Sequence, residues 1–353
     1  MPDERRVAGV DALRGVGFLS VFAFHSVLAF NIGGNGWLGD VYSNPFAYFV
    51  PNHLGTFGVT LFFVISGFCI HRSTVAWRAR NPQATAGTMW RAYGARRMRR
   101  VYPLYLVTLV AFWVAAPRAT VADLLLHAGL VQTLVPGHLN TINPSFWSLA
   151  VEAQLYALYP LLWAAIERFG ARWALGAAAG LSLAWSIGAP ALFHDAWWVS
   201  LPWRWGFPWV LGAAVAAAGD RLVAPRSLQL VVAGLIAVVL LAPSRSAMLY
   251  ALVPALFFAA LLAWSVSSER PLEAKRPLRW IGGVSYALYL IHQPLLDWAA
   301  NALAAQQVRT VDPLPFLLGS MGMLALCLVV AAGMERVVAN KVAPGVARVP
   351  LRA

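Results

Sequence analysis

Charged residues are scarce in this 353-residue chain. Asp, Glu, Lys and Arg together make up 12% of the residues, against about 25% in an ordinary soluble domain. A water-soluble protein of this length needs a charged surface. The shortage therefore excludes a soluble enzyme. The 60% of hydrophobic residues indicates that most of the surface lies in lipid.

Cysteine is also nearly absent. Cys69 and Cys327 are the only two cysteines, and both lie within apolar runs. This pattern excludes a disulfide framework and the paired Cys or His spacing of a structural metal site. We therefore expect no metal site and no permanently bound cofactor.

Lysine is replaced almost entirely by arginine. The chain has two lysines, and the other 25 of its 27 basic residues are Arg, against 14 acidic residues. The resulting net charge of +13 is typical either of a nucleic-acid-binding protein or of a membrane protein with basic inner loops.

Ten segments are long and apolar enough to cross a bilayer, for which about 20 residues are needed. They cover residues 9–29, 55–71, 101–116, 145–165, 173–192, 204–219, 227–242, 248–266, 281–300 and 314–334. If both chain ends are cytoplasmic, 22 of the 27 basic residues lie inside and 4 lie outside. The sequence therefore predicts one all-α integral membrane domain over residues 1–353. We expect a bundle of about ten transmembrane helices with cytoplasmic N- and C-termini, and no nucleic-acid partner.

The first predicted span contains polar residues on one helical face. Arg14 and His25 are eleven residues apart, which is close to three turns and about 16 Å along the axis. Asp11 lies one turn before Arg14 and could pair with it. Ionisable groups within a span are costly and indicate a functional site. The alternative is that Arg14 snorkels to the headgroups and that His25 is a packing residue.

Two later spans carry similar polar stripes. Ser148, Glu152 and Tyr156 share a face of the fourth span, and Ser285, Tyr289 and His292 share a face of the ninth. For Glu152, a direct chemical role and a structural Glu–Arg pair between helices explain the stripe equally well. The stripe of the ninth span favours a polar cavity, and the alternative is plain hydrogen bonding between helices.

A basic segment precedes the third span. Four arginines occur in the five residues from Arg96 to Arg100, and Tyr102 and Tyr105 follow. The guanidinium fork suits phosphate oxygens, and aromatic rings can stack on a nucleobase. The segment therefore predicts a phosphate-bearing cytoplasmic ligand, and the alternative is a basic loop that only anchors topology.

Two weaker features concern packing. Gly176 and Gly180 form a small-xxx-small pair in the fifth span, which predicts a close helix contact. The longest outer segment, 117–144, contains an apolar run that predicts a short helix on the outer surface.

Five segments, taken in order, resemble the acyltransferase 3 family of membrane acyltransferases. They are Asp11–Gly15 followed by His25, Gly58–Phe68, Arg96–Tyr105, Trp147–Glu152 and Ser285–Pro294. Arg204 also stands where this family tends to place an arginine. One departure is Ala153, which follows Glu152 where many members have a second acid.

The resemblance implies an acyl-CoA-dependent O-acyltransferase of the stand-alone form, in the bacterial cytoplasmic (inner) membrane and in contact with membrane lipids. Such an enzyme moves an acetyl or another short acyl group from cytoplasmic acyl-CoA to a hydroxyl of a sugar-containing acceptor. The acceptor would be a surface polysaccharide, a glycolipid or a macrolide-type glycoside. Acyl-CoA, with acetyl-CoA as the first candidate, would be a co-substrate.

The resemblance also implies roles for individual residues. His25 would be the general base of a catalytic site that also holds Asp11, Arg14 and Glu152. Acyl-CoA would bind to Arg14, Arg96, Arg97, Arg100, Tyr102 and Tyr105. The acceptor would be held, or its cavity lined, by Ser66, Trp147, Ser148, Arg204, Tyr289 and His292.

Three alternatives stay open at the level of sequence. His25 could itself become acylated instead of acting as a base. The same machinery could acylate an amino sugar on nitrogen. The chain could also be a glycoconjugate transporter or flippase, although transporters often show matching halves and the sequence has none. The sequence carries no indication of the oligomeric state.

Overall fold

The computed structural model describes residues 2–30, 45–193, 196–219, 232–233, 236, 249–267, 276–305 and 313–341. The regular elements in these ranges are all helical. The α-helices are α1 (Pro2–Phe30), α2 (Pro45–Arg80), α3 (Ala86–Ala115), α4 (Val121–Ala128), α5 (Phe146–Phe169), α6 (Ala171–Leu192), α7 (Pro202–Ala218), α8 (Leu249–Ser267), α9 (Arg276–Gly283), α10 (Ser285–Ala305) and α11 (Pro313–Lys341). Two short 3₁₀ helices cover Gln132–Leu134 and Ala196–Ser200.

Six helices among the described residues are long and apolar enough to cross a membrane. They are Gly9–Phe30, His53–Arg80, Ala86–Ala115, Phe146–Phe169, Ala171–Leu192 and Leu314–Val337, and a shorter apolar helix covers Leu252–Val266. The all-α prediction is confirmed. The number of ten spans and the cytoplasmic position of both ends stay predictions. The predicted span 227–242 lies almost entirely outside the described residues.

Two helices are longer than the apolar runs that predicted them. Helix α2 extends the predicted 55–71 to Pro45–Arg80, and α3 extends 101–116 to Ala86–Ala115. The α3 N-terminus is capped by Thr85, whose side chain accepts a hydrogen bond from the Thr88 backbone N–H at 3.3 Å. The basic segment Arg96–Arg100, which was predicted to precede the third span, therefore lies inside α3. Hydropathy detects only the apolar part of a helix. The helix itself can extend further, because arginine and alanine both have a high helix propensity.

Helix α4 packs antiparallel against α3. Near the start of α4, Trp113 Nε1 donates a hydrogen bond to the Thr120 carbonyl at 3.0 Å. At its end, the Tyr105 hydroxyl donates to the His127 carbonyl at 2.8 Å and the Tyr102 hydroxyl donates to the Ala128 carbonyl at 2.5 Å. The short helix expected between the third and fourth spans thus forms, and side chains of α3 hold its backbone.

A buried carboxylate fixes the start of α4. Asp123 accepts hydrogen bonds from the Thr120 backbone N–H at 2.7 Å and from the Thr120 hydroxyl at 2.6 Å, which completes a capping box. His138 Nδ1 lies 2.8 Å from the same carboxylate. Burial acts to raise the pKa of Asp123, but the bonds from Thr120 and His138 outweigh it and hold this pKa below its ordinary value. The segment between α3 and α5 is therefore tied to itself as well as to α3.

The backbones of α2 and α7 meet at two glycines. A Cβ atom at Gly67 would lie 1.9 Å from the Trp209 carbonyl oxygen, and a Cβ atom at Gly212 would lie 1.9 Å from the Val64 carbonyl oxygen. Only glycine permits this approach. The crossing brings Ser66 of α2 beside the α7 face that carries Trp209.

Helices α1 and α9 approach each other in the same way. A Cβ atom at Gly282 would lie 1.7 Å from the Asp11 carbonyl oxygen, and one at Gly15 would lie 2.3 Å from the Leu278 carbonyl oxygen. In contrast, no described atom lies within 4 Å of a Cβ atom built at Gly176 or Gly180. The close contact predicted for that pair thus does not form with any described residue, and it stays a prediction.

The glycine contacts predict opposite effects of the same substitution at two sites. Gly212→Ala should destabilise the protein by about 1–3 kcal/mol, because α2 and α7 must move apart. Gly176→Ala adds a methyl group at a point on α6 with no described atom within 4 Å, and it should stabilise slightly, because alanine favours helix more than glycine does. Thermal unfolding of the detergent-purified variants, followed by circular dichroism, measures both. Equal unfolding temperatures for the two variants would contradict the close α2–α7 crossing.

Candidate active site

Helices α1, α2 and α3 bring basic groups together at one level of the bundle. Arg14 Nη1 donates a hydrogen bond to Asp11 Oδ1 at 2.8 Å, so the pair expected from the sequence forms. Arg14 Nη2 donates to Cys69 Sγ at 3.3 Å. The Arg100 guanidinium interacts electrostatically with Arg14 and with Arg97. We call these five residues the arginine cluster.

The arginine cluster is positive and accessible. It contains three guanidinium groups and one carboxylate. The Arg100 side chain is exposed, whereas Arg14 and Arg97 are half-buried. The buried Nε of Arg97 has no hydrogen-bond acceptor among the described residues. A buried donor without an acceptor is costly, so the cluster is suited to hold an anion such as a phosphate group.

The other members of the basic segment lie elsewhere. The Arg96 guanidinium packs over the Trp77 ring, with its central carbon 5.6 Å from the ring centroid. Tyr102 and Tyr105 turn to α4 and use their hydroxyls on its backbone, and Tyr105 is fully buried. The structure therefore does not bring the two tyrosines to the arginine cluster. Side chains two positions apart on an α-helix point in directions about 200° apart, so Tyr102 lies on the side of α3 opposite Arg100.

Glu152 of α5 is held by hydroxyl groups. The Ser66 hydroxyl donates to Glu152 Oε1 at 2.5 Å, and the Tyr156 hydroxyl donates to the same oxygen. Trp209 Nε1 donates to Ser66 Oγ at 3.3 Å. We call these four residues the Glu152 network. The structural Glu–Arg pair considered at the level of sequence does not form within the described part of the chain.

The Glu152 network adjoins the arginine cluster. Tyr156 interacts electrostatically with Arg97 and with Arg14. The second carboxylate oxygen, Oε2, has no hydrogen-bond partner among the described residues. The side chain of Glu152 is half-buried. One carboxylate oxygen is thus fixed by two hydroxyl groups of the protein.

A buried hydroxyl pair joins α5 to α10. Ser148 Oγ and Tyr289 Oη lie 2.7 Å apart, and both residues are buried. Tyr289 also interacts electrostatically with Glu152. Its ring lies 5.3 Å from the ring of His292. Tyr289 therefore lies between the Glu152 network and His292.

His25 and His292 form a hydrogen-bonded pair. His25 Nδ1 of α1 and His292 Nε2 of α10 lie 2.9 Å apart, although 267 positions separate them in the chain. His25 is half-buried, whereas His292 is fully buried. We call them the histidine pair.

Arg204 and Trp147 meet around a third residue. Arg204 is buried, and its guanidinium carbon lies 5.6 Å from the Trp205 ring and 5.7 Å from the Trp198 ring. The Trp147 ring lies 5.3 Å from that of Trp205. Trp147 lies in the first turn of α5 and directly precedes Ser148, so these aromatic rings lie at the start of that helix.

The sequence prediction of the site omitted two residues that the structure includes. Cys69 carries no spacing signal, because a single cysteine in an apolar run has no pattern. Trp209 joins the Glu152 network only through the α2–α7 crossing. Tyr156 was predicted on the same helical face as Glu152, and the structure adds its hydrogen bond to that carboxylate.

Comparison with known proteins identifies the family. Residues 7–332 match the acyltransferase domain that defines the acyltransferase 3 family. The chain belongs to this family. The predicted resemblance is thereby confirmed.

A curated relative agrees with this assignment. The chain is 29% identical over 198 residues to acyltransferase MdmB of Streptomyces mycarofaciens. The match covers 52% of this chain and 46% of the relative, so it spans about half of each protein. No solved structure matches the chain significantly.

The two cysteines provide a direct test of the site's accessibility. Cys69 is half-buried beside Arg14, whereas Cys327 is fully buried in α11. A small maleimide should therefore label Cys69 in the folded protein and should leave Cys327 unlabelled until denaturation. Mass spectrometry of the labelled protein gives the site. Cys69→Ser should abolish labelling of the native protein and Cys327→Ser should preserve it, and the reverse result would refute this geometry.

Proposed function

We propose that this acyltransferase moves an acetyl or another short acyl group from cytoplasmic acyl-CoA to a hydroxyl of a sugar-containing acceptor, with His25 as the general base. One observation carries the proposal. A continuous row of polar groups leads from the arginine cluster through the Glu152 network and Tyr289 to the histidine pair. Such a row in an apolar bundle suits an elongated donor that is anionic at one end and reactive at the other.

The arginine cluster would hold the phosphates of CoA. Arg97 and Arg100 offer guanidinium donors on α3, and Arg14 offers a third from α1. The acceptor-free Nε of Arg97 supports this assignment. Arg96 lies beside Arg97 and would add charge at the edge of the cluster. The pantetheine arm would then run past Glu152 towards His25, which lies about 16 Å further along α1.

His25 would act on the acceptor hydroxyl. Its Nδ1 is engaged with His292, which leaves Nε2 to take the hydroxyl proton as the oxygen attacks the thioester carbonyl. The tetrahedral adduct would then collapse, the C–S bond would break, and the departing sulfur would take the proton back from His25. The products are the acyl ester and CoA with a free thiol.

The acceptor would lie near the start of α5. The half-buried Trp147 would offer an aromatic face to a sugar ring, and Trp205 behind it is buried. Arg204, between Trp205 and Trp198, would place a cation close to Trp147. The half-buried carboxylate of Glu152 would provide hydrogen bonds, and the buried Ser148–Tyr289 pair would line the cavity behind it. We place the protein in the bacterial cytoplasmic membrane, with the arginine cluster towards the cytoplasm.

Removal of two arginines tests the donor site. Arg97→Ala with Arg100→Ala should weaken binding of acetyl-CoA by about 10- to 100-fold, because two charge-assisted contacts to phosphate are lost. Titration of the detergent-purified protein with labelled acetyl-CoA measures the affinity, and protection of Cys69 from maleimide by CoA gives a second readout.

The matched control removes the same charge from other faces of the same helix. Arg91 and Arg99 are exposed on α3 and point away from the arc shared by Arg97 and Arg100. Arg91→Ala with Arg99→Ala should leave the affinity within about twofold of the natural protein. Equal losses in the two double variants would show a general charge effect and would refute a specific donor site.

Removal of the base tests the chemical step. His25→Ala should lower the rate of CoA release in the presence of acceptor by about 10²- to 10⁴-fold, while acetyl-CoA binding stays intact. His138→Ala, which removes a histidine beside α4, is the control and should retain turnover. Undiminished turnover in His25→Ala would refute the assignment. If the natural protein released a stoichiometric burst of CoA in the absence of acceptor and His25→Ala did not, the result would instead indicate an acylated His25.

A further inference from the structure

His292 lies in a fully buried position where both ring nitrogens have partners. Its Nδ1 lies 2.9 Å from the Tyr289 carbonyl oxygen, and the Leu288 carbonyl also interacts with the ring. A carbonyl can only accept a hydrogen bond, so Nδ1 carries the proton. His292 forms no ion pair with an acidic side chain in the described ranges. A buried imidazole without such a partner is neutral, and its Nε2 therefore has a lone pair.

This lone pair determines the state of His25. His292 Nε2 lies 2.9 Å from His25 Nδ1, so it accepts a hydrogen bond and Nδ1 of His25 must carry the proton. The Val21 carbonyl, one turn earlier in α1, also interacts with the His25 ring. Neutral His25 consequently has its lone pair on Nε2.

The ring of His292 is held in place on both sides. The Phe18 ring meets it edge-on, with centroids 5.7 Å apart, and the Tyr289 ring lies 5.3 Å away. Helix α10 is fixed to the segment before α5 by two further bonds. Asn143 Nδ2 donates to the Leu290 carbonyl at 2.9 Å, and the Ser145 hydroxyl donates to Gln293 Oε1 at 2.5 Å.

We infer that His292 is a positioning residue, which holds His25 in the tautomer whose Nε2 can accept a proton. This inference rests on the proposed role of His25 as a base. It replaces the acceptor-binding role expected for His292 from the resemblance, because a buried ring with both nitrogens engaged cannot bind a substrate. The bond from His25 Nδ1 to His292 also stabilises the imidazolium that forms when His25 takes the hydroxyl proton.

Two isosteric amides separate this role from a merely structural one. The side-chain amide of His292→Gln can place its oxygen near the position of the natural Nε2, where it can accept from His25 Nδ1. The shorter amide of His292→Asn reaches only the position of Nδ1 and leaves His25 without this acceptor. Steady-state turnover with acetyl-CoA and acceptor gives kcat and KM, and thermal unfolding reports the fold of each variant.

We expect His292→Asn to lower kcat about 100-fold, with the KM for acetyl-CoA unchanged. His292→Gln should recover kcat to within about tenfold of the natural protein. If the asparagine variant does not fold, His292→Met, which is of similar volume and lacks a strong acceptor, should show the same loss. Equal kcat losses in the glutamine variant and in the variant without acceptor would overturn the inference, as would a raised acceptor KM with unchanged kcat.

The His25→Ala variant distinguishes the two levels of the proposal. If His25→Ala retains turnover, the proposed base is wrong and the role of His292 falls with it. If His25→Ala abolishes turnover but His292→Asn is as active as the natural protein, the base stands and only the positioning role of His292 is refuted.

Discussion

A polar group inside an apolar helix bundle must find a partner, because neither lipid nor hydrocarbon side chains can replace the water that it loses. The described structure is organised by this constraint. Arg14 forms an ion pair with Asp11. Glu152 accepts hydrogen bonds from Ser66 and Tyr156, and His25 forms a hydrogen bond with His292. Each of the last two groups draws on helices that are far apart in the chain. The helices are thus placed by their polar residues as well as by their apolar faces.

Glycine makes these partnerships possible. Ser66 of α2 reaches Trp209 of α7 because Gly67 and Gly212 allow the backbones of these two helices to touch, and the same Ser66 hydroxyl donates to Glu152. Gly15 and Gly282 allow the backbones of α1 and α9 to approach each other in the same way, at the level of Asp11 and Arg14. Close packing and the polar site are therefore one structural feature, since a larger residue at a crossing would move the hydrogen-bonding groups out of reach.

The basic segment of α3 shows how a single sequence pattern can serve two purposes. Arg97 and Arg100 belong to the arginine cluster, whereas Tyr102 and Tyr105, a few residues later, hold the backbone of α4. Sequence proximity suggested one binding site for all of them. Helical geometry separates them, because residues two positions apart point to nearly opposite sides of a helix. The contact between His292 and His25 could not be predicted for a similar reason, since only the tertiary structure shows the burial of His292 and its two partners.

The amino-acid sequence alone indicated that the protein surface lies in lipid, that the fold is all-α and that the chain belongs to the acyltransferase 3 family. Composition and periodicity are local properties, so the shortage of charge, the apolar runs and the one-faced polar stripes of α1, α5 and α10 could all be read directly. Motifs in order along the chain were sufficient for the acyltransferase 3 family. Only the tertiary structure decided which polar groups meet. The pairs Arg14–Cys69, Ser66–Glu152 and His25–His292 depend on the order and crossing distance of helices, and no local pattern encodes either.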